Sequence, residues 1–271
     1  TFGMDNALDL LRDPASRRVS KKDFNKLDAA ITIDEVRNAI AKCGLGKSPG
    51  PDGLPAEVYR EFTDLLAPML LEVLTQACTN HDPPPSFMEG NITLLYKKGS
   101  PREIRNYRPI TLLNTDYKIY TKILGYRLNP ILDSIISKAQ LGFVPDRLIQ
   151  EATHLTQLVQ AYLDETDEGG LLVFLDMEKA FDSVSWEYLI ASMPAIGIGP
   201  KFTSWVSMLY NEQSPPTRRV LINGVAGEPF KLGRGTAQGC PCSPILFLLV
   251  AETLTRMVEK EDGSSYRGAR I

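Results

Sequence analysis

Asp176 ends a run of five apolar residues, Leu171-Leu172-Val173-Phe174-Leu175, and leads into Met177-Glu178-Lys179-Ala180-Phe181-Asp182. A continuous apolar run of that length, opened by Gly169-Gly170, predicts a buried β-strand. A carboxylate at the end of a buried strand is costly unless something positive meets it. A divalent cation meets it well, because hard cations take oxygen ligands. The same aspartate could instead cap the helix that follows. The second chemical group is cationic: Lys97, Lys98, Arg102, Arg105, Arg108, Lys118, Lys122 and Arg127 lie close together in the chain. Such local basic surface suits phosphate binding, and a solvated helix face accounts for it equally.

Other chemistries are excluded. Cys43, Cys78, Cys240 and Cys242 form no disulfide or zinc pattern, and His81 and His154 stand far from Cys240-Pro241-Cys242. Free thiols predict a reducing, intracellular setting, cytoplasm and nucleus. The segment Ala41-Lys42-Cys43-Gly44-Leu45-Gly46-Lys47-Ser48 fits a relaxed phosphate-loop pattern. That motif works only as strand, loop and helix, whereas here a capped helix precedes it and Pro49-Gly50-Pro51 follows. No membrane association is expected: the apolar run Ile245 to Ala251 is too short to span a bilayer. The net charge of -3 over 271 residues does not advertise a nucleic-acid partner, and 43% hydrophobic residues suffice for a sizeable core. The chain starts at Thr1 and ends at Tyr266-Arg267-Gly268-Ala269-Arg270-Ile271, which predicts a piece of a longer polypeptide.

The elements that must position these groups follow from periodicity. Residues 1–30 read as an irregular lead-in. Thr32-Ile33-Asp34-Glu35 is a capping box for a helix with Ile33, Val36 and Ile40 on its apolar face. Residues 44–53 form a turn-rich loop, and Pro55 opens a helix with Val58, Phe62, Leu65 and Leu66 on its face, broken or kinked at Pro68. A strand is expected from Ile92 to Tyr96 and an amphipathic helix from Tyr117 to Leu132. A loop over 140–147 and a helix from Ile149 to Leu163 precede the Asp176 strand. Short helices over 186–193 and 200–209 come next. Asn223-Gly224 marks a hairpin after a strand at 218–222. Ser243-Pro244 opens a long helix to Glu259. Helices outnumber strands, giving an α/β or α+β class.

Four segments now stand in order. They are Ile92 to Gly99 with Arg105 to Leu113; Ala139 to Arg147; Asp176 to Asp182; and Gly235-Thr236-Ala237-Gln238-Gly239-Cys240-Pro241-Cys242-Ser243-Pro244-Ile245-Leu246-Phe247. In that order they resemble the reverse transcriptase domain of non-LTR (LINE-type) retrotransposons, from Ile33 to Ile271. Group II intron proteins are more distant relatives. The resemblance implies an α+β right-hand polymerase, with fingers and a partial palm whose antiparallel sheet is backed by helices, and no thumb. It divides the chain into a lead-in (1–30), an N-terminal extension (31–88) and the reverse transcriptase part (89–271). The implied activity is RNA-directed DNA polymerisation, a nucleotidyl transfer from dNTPs. Such transfer is mostly positioning and charge neutralisation, by two metal ions about 4 Å apart.

The resemblance assigns Asp176 as catalytic metal ligand, with the Met177 backbone carbonyl beside it, for Mg2+ or Mn2+. Phe181 matches the bulky gate that excludes a 2′-hydroxyl. Arg108 and one of Lys97 and Lys98 match the triphosphate holders, and both lysines stay open because neighbouring strand residues face opposite ways. Gln238 and Gly239 match the loop that packs on the nucleotide, where Gly235 and Gly239 let the backbone come close. Arg147 matches a template contact, and Asp182 a cap or hydrogen-bonding support. The implied partners are an RNA template, a DNA primer, dNTPs and an endonuclease domain elsewhere in the parent polyprotein. The family also carries an aromatic-x-Asp-Asp hairpin after the Gln-Gly motif. Here only Glu261-Asp262 follows, so the 271 residues alone are expected not to polymerise. The alternative is a non-catalytic, decayed remnant that binds nucleic acid.

Overall fold

The computed structural model describes residues 3–13, 17–166 and 172–259. The expected irregular lead-in is instead helical: α1 (Met4–Arg12) buries Ala7, Leu8 and Leu11, and α2 (Lys21–Leu27) buries Leu27. α1 does carry a helical pattern, Met4, Ala7, Leu8 and Leu11, which the irregular reading of residues 1–30 misses, whereas α2 offers only Phe24 and Leu27. Ser20 caps α2, accepting from the Asp23 N–H. α3 (Ile33–Ala41) carries the predicted capping box from Thr32 and Glu35.

α4 (Ala56–Glu61) and α5 (Thr63–Asn80) follow the 44–53 loop. Their break falls at Phe62 (φ -104°, ψ 32°), not at Pro68, which α5 runs through. Pro68 is exposed, so the Asp64 carbonyl it leaves without a helical donor can turn to water. The predicted apolar face is also displaced: Ala56, Tyr59 and Ala67 are buried, whereas Phe62 and Leu65 face solvent.

β1 (Gly90–Tyr96) and β2 (Tyr107–Leu113) form an antiparallel pair in which Leu95 stands opposite Arg108. α6 (Thr115–Leu128) follows, then a 3-10 turn over 129–131, α7 (Leu132–Ile135) and α8 (Gln150–Thr166). Expected to be amphipathic, α6 is surrounded: Tyr117, Ile119, Tyr120, Ile123, Leu124 and Leu128 are all buried. α9 (Trp186–Ile196) and α10 (Pro200–Ser207) precede β3 (Thr217–Ile222), β4 (Val225–Ala226) and β5 (Phe230–Lys231), and α11 (Ser243–Glu259) comes last. Asn223 (φ 51°) and Gly224 (φ 82°) make the predicted hairpin turn with both residues left-handed.

The sheet runs β2-β1-β3-β4, with β5 also on β3. It is mixed, because β1 and β3 pair in parallel while the other pairs are antiparallel. Residues 172–176 join no strand, and Val173, Phe174 and Leu175 are 65%, 82% and 83% exposed. Leu171 lies outside the described residues. An apolar run signals a wish for burial but not an available edge, and both edges of β1 are occupied by β2 and β3.

One core links the N-terminal helices to the rest. α1 packs on α9 and α11, and α3 on α5 and α6. Asp28, just past α2, accepts from the backbone N–H of Phe202 at 2.9 Å and so caps α10 from afar. Arg256 donates to Glu252 at 2.7 Å with both side chains buried, and reaches the carbonyls of Leu11, Arg17 and Ile135. The result is an α+β fold whose sheet is backed by helices.

Candidate functional site

The site is built around residues 235–239. Gly235 has φ 88°, and a Cβ there would stand 2.9 Å from the Asp182 carbonyl oxygen. That closeness permits two backbone hydrogen bonds: Gly235 N–H to the Val184 carbonyl and Thr236 N–H to the Phe181 carbonyl, both 2.8 Å. At the other end Gly239 has φ 123°, and a Cβ would stand 2.5 Å from the Thr111 carbonyl oxygen. There the Thr111 N–H donates to the Gln238 carbonyl at 2.7 Å. The loop thus ties the Phe181 segment to β2, the strand that carries Arg108.

Phe181 is half-buried between Phe247 of α11, with ring centroids 5.0 Å apart, and Phe143, at 6.1 Å. The Asp182 carboxylate is hydrogen-bonded by Gln238. Desolvation raises its pKa, against the opposing pull of Lys179 and of that hydrogen bond. Phe181, Gln238 and Gly239 are therefore brought together, and Arg108 is joined to them through β2. Strand alternation puts Arg108, Leu95, Ile110 and Leu112 on one face. Lys97 continues the ladder, its N–H donating to the Asn106 carbonyl at 2.9 Å, which assigns it to that same face.

A cavity of about 640 Å³ opens on this face. Leu95, Ile110, Thr111, Leu112, Gly239 and Pro241 form one wall, and Lys47, Lys118 and Lys122 bring cations to it. Desolvation lowers the Lys118 pKa, opposed by the nearby Cys43 and Asp52. The predicted basic cluster divides accordingly. Arg127 is a structural clamp, paired with Glu35 at 2.6 Å and bonded to the carbonyls of Leu27, Ala29 and Ala30. Arg105 pairs with Glu103. Lys118 and Lys122 reach the cavity, joined by Lys47 from the rejected phosphate-loop segment.

Three expected residues sit differently. Arg147 is committed internally: it pairs with Asp133 at 2.8 Å and donates to the carbonyls of Gln140, Ser137 and Ile136. It shapes the 140–147 loop. Asp176 and Met177 are exposed on the extended segment. Among the described residues no group of three His, Cys, Asp or Glu side chains could hold a metal ion. Asp176 alone does not make an ion site there. Sequence reasoning missed Thr111 and Trp186, whose indole N–H donates to the Gly235 carbonyl at 2.7 Å. A tryptophan opening a helix reads as core, and nothing in its spacing points to a carbonyl far along the chain.

A family model described as "Reverse transcriptase (RNA-dependent DNA polymerase)" matches residues 95–266. The "Transposon TX1 uncharacterized 149 kDa protein" of Xenopus laevis is 36% identical over 242 residues, 89% of this chain and 18% of that protein. The "Retrovirus-related Pol polyprotein from type-2 retrotransposable element R2DM" of Drosophila melanogaster is 27% identical over 241 residues, 89% of this chain and 22% of that one. The "RNA-directed DNA polymerase from mobile element jockey", also of Drosophila melanogaster, is 27% identical over 229 residues, 83% and 25% of the two chains. The chain thus spans a quarter or less of these relatives' length.

Proposed function

Since the chain belongs to the reverse transcriptase (RNA-dependent DNA polymerase) family, we propose that it holds the incoming nucleotide of an RNA-directed DNA polymerase of the retrotransposon kind. The observation that carries this reading is the loop 235–239, hydrogen-bonded on one side to Phe181 and Val184 and on the other to Thr111. It links the segment of the Phe181 ring and the Gln238 amide to the strand that carries Arg108. In this reading Arg108 and Lys97 hold the triphosphate. Arginine supplies a planar fork and lysine a point charge. The ladder favours Lys97 over Lys98, whose alternation turns it to the Tyr96–Tyr107 face. Phe181 limits the volume beside the sugar, and Gln238 and Gly239 pack on the base pair being formed.

The template's phosphates run past Lys47, Lys118 and Lys122 in this proposal, and Arg147 supports the template side through its loop rather than by direct contact. Reverse transcriptases as a family use divalent metal ions. Mg2+ or Mn2+ is the proposed ion, with Asp176 and the Met177 carbonyl contributing to a site that the described residues alone do not complete. An RNA template, a DNA primer, dNTPs and an endonuclease elsewhere in a polyprotein are the proposed partners, acting in the cytoplasm and nucleus. Among the described residues no helix is long and apolar enough to cross a membrane.

The test is nucleotide binding to the chain bound to an RNA template annealed to a DNA primer, with Mg2+ present. Lys97→Ala and Arg108→Ala should each weaken binding of the complementary dNTP about tenfold, and Lys98→Ala by less than about twofold. Equal losses at Lys97 and Lys98 would remove the assignment from the strand face.

A further inference from the structure

Trp186 is a core residue by burial, 2% exposed, yet its one polar atom is spent on the candidate site. It is the first residue of α9, whose cap Ser185 accepts from the Tyr188 N–H at 3.3 Å. Its ring lies 6.0 Å from that of Tyr210, and α9 packs on α1, α10 and α11. The indole is thereby fixed in the hydrophobic core. From there it donates to the Gly235 carbonyl at 2.7 Å, while the N–H groups of Gly235 and Thr236 donate to Val184 and Phe181 at 2.8 Å. The three bonds close a small frame: α9, the Phe181–Val184 turn and the 235–239 loop. Phe181 and Gln238 both project from that frame, and neither touches α9 through a hydrogen bond of its own side chain.

We propose that Trp186 is a positioning residue that sets the spacing between the Phe181 ring and Gln238, and through it the discrimination between deoxyribo- and ribonucleotides. This rests on the polymerase reading of the site. A steric gate excludes a hydroxyl group only if its distance from the bound sugar is held to a fraction of an ångström. Phe181 packs on Phe143 and Phe247 through ring contacts alone, which fix direction less sharply than a hydrogen-bonded backbone does. The indole N–H holds the loop side of the frame, so its loss lets the 235–239 loop drift from the gate while Arg108 on β2 and Lys97 at the end of β1 stay in place.

The experiment measures dNTP and NTP affinities for the chain bound to primer and RNA template. Trp186→Phe keeps a buried ring and deletes the donor. It should lower the dNTP-to-NTP preference about fivefold, as expected for one hydrogen bond, with primer–template binding unchanged. Gly235→Ala forces the same separation from the other side of the frame and should do the same. Ser192→Ala, buried in α9 and bonded only within that helix, is the control for plain destabilisation and should leave the preference unaltered. A folded Trp186→Phe or Gly235→Ala protein with wild-type preference overturns the role of Trp186. Wild-type complexes that bind no dNTP at all would instead overturn the polymerase reading.

Discussion

At the scale of single residues, glycines and one ion-paired aspartate give the sharpest expectations. Gly239 adopts a φ that side chains avoid and leaves no room for a Cβ against Thr111. Gly239→Ala should cost about 2 kcal/mol of stability and also pull Gln238 off β2, read as a lower melting temperature together with weaker dNTP binding. Asp133 pairs with Lys138 and Arg147, whose hydrogen bonds, Lys138's foremost, hold its carboxyl down at about 2. A folded-state pKa below the unfolded value contributes stability above the unfolded pKa, roughly 3.9, and loses it as pH falls towards about 2. Asp133→Asn should therefore flatten the acid limb of the stability curve in that window. An unchanged limb would mean the pair does not hold the 140–147 loop. The chemical residue types were legible in the sequence at this scale. What each cation pairs with was not: Arg127, in a cluster that suited phosphate or a solvated face equally, and Arg147, matched to a template contact, both bond backbone carbonyls.

Elements are where sequence reading and structure diverge most instructively. The capping box at Thr32, the strand at 92–96, the Asn223-Gly224 turn and the helix opened by Ser243-Pro244 were all legible, because each is specified by local chemistry. Sequence reading misses the helix over Met4–Arg12 although its apolar spacing is helical, and α2 and β2 were not legible. α1 and α2 are stabilised by distant partners, and β2 contains Pro109, which tolerates a strand only where its missing N–H is not needed. The Glu252–Arg256 pair shows the same dependence on tertiary contacts. Its side chains are 1% and 6% exposed, and Glu252 also accepts from the Ser137 N–H at 2.9 Å. Removing one partner leaves a buried charge, so Glu252→Ala should destabilise by about 3–5 kcal/mol. Glu252→Met with Arg256→Met should recover much of that loss in denaturant unfolding. A double variant as unstable as the single would mean that the carbonyls of Leu11, Arg17 and Ile135, rather than the charges, make the junction.

For the whole molecule, net charge conceals local charge. A chain of net charge -3 still concentrates Lys47, Lys118 and Lys122 at one cavity beside Gly239. Binding to a primer–template duplex should weaken with salt, and replacing the three lysines by alanine should reduce the log–log salt slope by roughly 2 to 3. A slope unaltered by the triple variant would move the nucleic acid to another face. The family was legible from four motifs standing in order along the chain. The exposure of residues 172–176 was not, because an apolar run predicts burial without naming the edge that would take it. The central claim is that the 235–239 loop assembles a template-directed nucleotide site. Its most direct test is the affinity of each of the four dNTPs for the chain bound to a DNA primer on an RNA template of defined sequence. The complementary dNTP should bind tightest, and Gln238→Ala should erase that preference. Equal affinity for all four, or preference untouched by Gln238→Ala, would contradict it.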